Sequence, residues 1–256
     1  MMKTLLFIAF VCFSTLAHAA QTSHLHFATF ANNGETFLFI EAGTQDGSGT
    51  HYANAFAITV ATDSYLDGFP IRLREDEEQA LAREGGTPEE SSERSHRDLN
   101  TLIDSLRANP NVAAILSNSS PTTERFSQAA WDAAPAAKQA RFTKTDIFPI
   151  SRDIWQLELA NINFPADPEQ CFGLLEQMTG FKLDLVNEET SARTTLNEDA
   201  RVPTRRGCPQ DYWIAHVFTH SFFRSTQRMA VILRFSKTGF EGPDRALMAV
   251  TTVMPE

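Results

Sequence analysis

The residues best placed to do chemistry sit in two glycine-containing loops near opposite ends of the chain: Thr44-Gln45-Asp46-Gly47-Ser48-Gly49-Thr50 and Thr238-Gly239-Phe240-Glu241-Gly242-Pro243-Asp244-Arg245. Hard cations want several oxygen ligands, and flexible Gly-rich backbone can offer carbonyls beside Asp46, Glu241 or Asp244. The spacing matches no EF-hand loop. Structural turns, in which Asp and Asn bond their own backbone, account for the same residues. Phe240 and Arg245 are equally suited to anchor a protein partner. Asp46, Phe240, Glu241, Asp244 and Arg245 are therefore the candidate binding residues, with no metal assigned to them.

The histidines offer less. His24 and His26 share one face if their segment is a strand, about 7 Å apart along it, which allows a metal pair. No further ligands can be identified, and two exposed imidazoles near a terminus explain them. His216 and His220 have the i,i+4 spacing that converges on a helix, but Tyr212 to Thr219 reads as a strand, where that separation is about 13 Å. The sequence holds no Gly-x-Ser-x-Gly elbow, Walker loop, dinucleotide fingerprint or His-Glu-x-x-His. It names no catalytic residue and no cofactor.

Three sections of different periodicity must position these loops. From His24 to about Val60 the chain reads as a three-stranded antiparallel meander, with Asn32-Asn33-Gly34 as the hairpin turn between its first two strands. Residues 74–141 read as a helical insertion. Thr87-Pro88-Glu89-Glu90 is a capping box, and Leu99, Leu102, Ile103 and Leu106 form one apolar stripe that Asn109-Pro110 ends. An Ala-rich helical segment is expected around Glu124 to Ala134, anchored by Phe126 and Trp131. The charged run Arg74 to Glu78 reads as a solvated face. From Asp146 onwards the chain returns to strands: Trp155-Leu157-Leu159 and Phe181-Leu183-Leu185 alternate with polar residues, and a short helix over Pro168 to Met178 would carry Cys171. Met229 to Phe235 is apolar enough to be covered on both faces, and Leu247 to Val253 is the last strand.

Phe39–Val60 and Ile232–Val253 are also alike, each reading as strand, Gly-containing loop and strand. Gly49 falls opposite Gly242, Ala53 opposite Ala246 and Val60 opposite Val253. Convergent hairpin chemistry is preferred over duplication. The expected fold class is α+β: antiparallel meanders at both chain ends sharing a core, with a helical insertion between them.

Export is the strongest functional expectation. Met1-Met2-Lys3, the apolar run Thr4 to Leu16 and Ala17-His18-Ala19 make residues 1–19 a cleaved secretory signal, leaving one domain over 20–256. Its thirteen or so apolar residues span only about 20 Å of helix, short of the ~30 Å hydrocarbon core, so it is not read as an anchor. No later stretch is long and apolar enough to span a bilayer. After cleavage two of the three cysteines remain, Cys171 and Cys208, and in an oxidising space they are expected to form a disulfide. The formal charge of −10 argues against a protein built to neutralise nucleic-acid phosphates.

Three further segments carry a resemblance: Phe27 to Phe39 with the Gln45-Asp46-Gly47-Ser48-Gly49 run, Arg206-Gly207-Cys208-Pro209 with Tyr212, and Gly239 to Arg245. Together they resemble a bacterial family of predicted secreted proteins of unknown function, over nearly the whole mature chain. The first segment is also similar to one blade of the TolB-type β-propeller repeat, with Ala31-Asn32-Asn33-Gly34 in place of that repeat's Ser-Pro-Asp-Gly turn. The family resemblance implies export and a shared fold, and it transfers no catalytic residue. The leading expectation is a non-enzymatic periplasmic or secreted binding module with an envelope protein as partner. Its competitor is a hydrolase acting on an envelope polymer through carboxylates that sequence alone cannot pair.

Overall fold

The structure, a computed structural model, describes residues 21–45, 48–76, 78, 80, 87–128, 137–143, 154–221, 227–239 and 242–255. The expected signal segment and Trp131 lie outside these residues. Strands β1 (Thr22–Ala31), β2 (Thr36–Thr44) and β3 (His51–Thr59) form the first meander, each antiparallel to the next. Its first turn needs left-handed backbone at Asn32, Asn33 and Gly34, with φ of 52°, 56° and 84°. Asn tolerates that region and Gly occupies it freely. Gly34 is required on a second count, because a Cβ there would sit 2.4 Å from Cδ2 of His220.

The second meander consists of β12 (Pro209–His220), β13 (Arg228–Thr238) and β14 (Pro243–Val253). Met229 to Ser236 are all buried, as an apolar run covered on both faces should be. The two meanders join into one sheet through a single parallel pair, Thr22 with Arg245. The resulting order β3-β2-β1-β14-β13-β12 lays the strands of each meander in the same direction across the sheet.

That sheet is strongly curled. β2 and β12 are four strand spacings apart in the order, which on a flat sheet is about 19 Å. The rings of Phe37 on β2 and Phe218 on β12 are nevertheless only 5.9 Å apart. The curled face encloses Phe30, Phe37, Phe39, Phe56, Ala230 and Ile232. β6 (Ser119–Ser120) pairs with β1 and β7 (Thr123–Ser127) with β12, so one short stretch bridges the far sides of the curl.

Two layers cover the outside. Helices α1 (Pro88–Ala108) and α2 (Pro110–Leu116) set Ile103, Leu106, Val112 and Ile115 on the first meander, where Ala53, Ala55 and Ala57 leave room for them. α1 starts at the expected capping box: Thr87 Oγ1 accepts from Glu90 N–H at 3.3 Å, and a Glu90 carboxylate oxygen accepts from Thr87 N–H at 2.9 Å. On the second meander lies a separate antiparallel sheet of β8 (Gln139–Thr143), β9 (Ile154–Pro165), β10 (Gln177–Asn187) and β11 (Arg193–Glu198). Trp155, Leu157, Leu159, Phe181, Leu183 and Leu185 pack from it onto Met229, Val231 and Leu233.

The α+β expectation is therefore overturned. Strands take 55% of the described residues and helices 18%, so the fold is β-rich with two helices on one flank. The reason lies in the supposed helical insertion, which holds β6, β7 and the start of β8 and begins only where β5 (Ile71–Arg74) ends. Thr123–Ser127 does not begin a helix. It pairs along the edge of β12, and cross-strand hydrogen bonds outweigh a weak local propensity. Pro168 to Met178 is likewise no helix. Residues 168–173 form turns, with Phe172 at φ 54°, and Met178 already belongs to β10.

Candidate functional site

A cleft of about 590 Å³ runs along the outer edge of β14. One wall is the inner face of β2 and β3, where the phenylalanine row gives way to Glu41, Asn54 and Phe56. A second wall comes from the turn after β3 and from β4 (Ser64–Tyr65) and β5, with Asp63, Tyr65 and Arg72. The third brings Asn197 of β11, Arg205 and Arg206 beside Lys237 of β13.

The carboxylates of Glu41 and Asp63 act as a substitute strand for β14. Glu41 accepts from the Leu247 N–H at 3.1 Å and from Asn54 Nδ2 at 3.0 Å. Asp63, held at φ 48° in its turn, accepts from the N–H and hydroxyl of Thr251 at 2.7 and 2.9 Å. Burial raises the pKa of both carboxyls above the usual carboxylate range, against the lowering effect of those hydrogen bonds. Behind Glu41, Tyr52 shares a 2.5 Å hydrogen bond with Ser23. Burial, then the nearby Glu41 charge, pushes its phenol up to about 12.

The cationic wall rests on a short 3-10 turn, Thr204–Arg206. Arg206 points inward, 7% exposed, forks onto Asp199 at 2.5 and 3.2 Å, and lies over the rings of Phe181 and Tyr212 at 4.9 and 5.8 Å. Arg205 points outward and covers the Tyr65 ring at 5.9 Å. The turn is fastened by the Cys171–Cys208 disulfide, whose sulfurs are bonded at 2.01 Å, and by Gln170, whose amide donates to the carbonyl of Gly207. The expected disulfide is thus present, packed with Met178 and Val202. Arg72, Arg205 and Lys237 form no salt bridge among the described residues, unlike Arg206.

The described ends of the two loops singled out in the sequence come together beside Thr22. Thr22 pairs with Thr44 on one side and Arg245 on the other, so the loop after β2 and the loop before β14 leave the same end of the sheet. Asp244 Oδ1 accepts from Gln21 N–H at 3.3 Å, and Arg245 N–H donates to the Gln21 carbonyl at 2.8 Å, so both residues fasten the seam between the meanders. Gln21 itself lines the cleft. Asp46, Phe240 and Glu241 lie outside the described residues. The base of the first loop is held by His51, which bonds the hydroxyls of Thr44 and Ser95 at 2.9 and 3.0 Å.

His24 and His26 are exposed on β1. Burial lowers the pKa of each, with Arg245 beside His24 and with His24 and Arg107 beside His26 adding to the effect. His216 and His220 are both on β12, as the strand reading requires, with Glu124 and the Pro121 carbonyl as their separate partners at 2.6 Å. Among the described residues no three His, Cys, Asp or Glu side chains are grouped to hold a metal ion, and no helix is long and apolar enough to cross a membrane.

Sequence reasoning missed Glu41, Asp63, Arg72, Arg205 and Lys237. Their signal is faint: Glu41 interrupts an otherwise apolar strand, and Arg205 belongs to the Arg-Arg-Gly-Cys stretch beside a cysteine. No curated protein and no solved structure matches the chain. A family model does, over residues 38–252, under the description "Predicted secreted protein (DUF2259)". That match spans every wall of the cleft and makes no reference to a propeller repeat. It establishes that the chain belongs to this family of predicted secreted proteins.

Proposed function

We propose that the chain is an exported, non-enzymatic binding module, periplasmic or released, that holds an anionic ligand in the cleft along β14. One observation carries the reading. In a chain of formal charge −10, Arg72, Arg205 and Lys237 gather in a single cleft without salt-bridge partners among the described residues. Unpaired guanidinium groups offer forked donors to carboxylate, sulfate or phosphate, and Tyr65 beside Arg205 gives a flat surface for the ligand's body. Asp244 and Arg245 fasten the seam at Gln21, which lines the cleft, and with Asp46, Phe240 and Glu241 they are proposed as further binding residues. Oxidising surroundings fit the disulfide, and the Lys3-led apolar opening supports removal of a signal.

Titration calorimetry at low ionic strength, with citrate and with short poly-glutamate, tests the reading. Binding is expected, weakened about tenfold or more by Arg205→Glu with Lys237→Glu. Absence of heat with every anion would remove the proposal. A second reading is favoured by the two burial-raised carboxyls in the same cleft: a hydrolase of an envelope polymer in which Glu41 donates the proton. Release of soluble fragments from purified envelope polymer, lost in Glu41→Gln, would put that reading first.

A further inference from the structure

We infer that the ligand of this cleft is an acidic peptide segment that docks as an added strand on the open edge of β14. The inference rests on the anion-binding reading and goes further than it. Ala246 to Val250, five consecutive residues, all line the cleft. Side chains of a strand alternate between its faces, so what five neighbours share is their edge. On that edge β1 parts from β14 after the single pair at Thr22 and Arg245. The N–H of Arg245 goes to the Gln21 carbonyl, that of Leu247 to Glu41 and that of Thr251 to Asp63. With a period of two, the N–H and C=O of Ala249 point the same way, and they have no partner among the described residues.

The two carboxylate caps mark the limits of the free edge. Leu247 and Thr251 are about 13 Å apart along the strand, room for three or four residues of an extended chain centred on Ala249. A peptide offers there what Ala249 lacks, a carbonyl for its N–H and an N–H for its carbonyl, the arrangement of strand addition. Its alternate side chains face the wall of Arg72, Arg205 and Lys237, so charge complementarity makes them acidic.

Fluorescence anisotropy on the oxidised mature chain tests this with a labelled peptide of alternating Glu and Val, the same peptide N-methylated at its centre, and an oligogalacturonate as an acidic chain without amides. The parent peptide is expected to bind, and N-methylation or Ala249→Pro to weaken it roughly three- to tenfold. Proline is tolerated on a strand edge whose N–H is not paired within the sheet. If that variant fails to fold by circular dichroism, the N-methylated peptide carries the comparison alone. Equal binding of both peptides, or tighter binding of the oligogalacturonate, overturns strand addition while leaving the anion cleft standing. Indifference of every probe to Arg72→Glu with Arg205→Glu overturns both.

Discussion

Glu41 shows how one residue can serve the fold and tune the site together. Its carboxyl completes the edge of β14, and burial raises its pKa above an ordinary 4.5, as burial raises Asp63 above 3.8. The native state therefore keeps these protons at pH values where the unfolded chain has released them. Their contribution to stability is full below the ordinary values and is lost as pH rises through the folded ones. The lowered pKa values of His24 and His26 act in the opposite sense below 6.5, so a comparison with a variant is needed to isolate Glu41. In Glu41→Gln, stability from urea unfolding is expected to fall less steeply with rising pH above 4.5 than in the wild type. The largest possible difference is about 1.4 kcal/mol per pH unit. Parallel profiles would show that the carboxyl's titration is not linked to folding. The same protonation makes the cleft more positive, so anion affinity should rise toward mildly acid pH in the wild type and respond less in Glu41→Gln.

Among the elements, those governed by local rules were legible and those governed by pairing were not. The α1 capping box is a four-residue code, and the structure closes both of its hydrogen bonds. Thr87→Ala is expected to cost about 1 kcal/mol in chemical denaturation, and no measurable loss would mean that packing of Ile103 and Leu106 alone sets the helix. The hairpin at Asn32-Asn33-Gly34 was equally readable, because positive φ restricts the choice of residue. β7 was not readable as a strand, since what makes Thr123–Ser127 extended is the edge of β12 some ninety residues later. The cleft was hidden for a related reason. Glu41, Asp63 and Arg72 come from one stretch of the chain and Arg205 and Lys237 from another far along it, and the two groups meet only once the sheet has curled. The described ends of the two loops chosen from composition nevertheless meet beside Thr22, because glycine and proline collect where strands end, and these strand ends share one side of the sheet.

For the whole molecule, the curled sheet supplies one face for a core and one edge for the candidate site, and two layers pack on its outside. The third wall of the cleft depends on a covalent tie. Closing the loop between Cys171 and Cys208, 37 residues apart, contributes roughly 3 to 4 kcal/mol by restricting the unfolded chain. Cys171→Ser with Cys208→Ser should lower the denaturation midpoint accordingly and weaken anion binding more than a remote destabilising change of equal size, such as Thr87→Ala combined with a core truncation. Equal weakening in both would separate the tie from the wall. The tie also gives the ligand site an order of assembly. On the proposed export, Arg205 would sit on a turn with nothing covalent to hold it while the polypeptide remains in a thiol-rich compartment, and oxidation after crossing the membrane would fasten that turn against the open edge. A newly made chain would then pass its journey without a finished grip, and acquire one where its ligand is to be met.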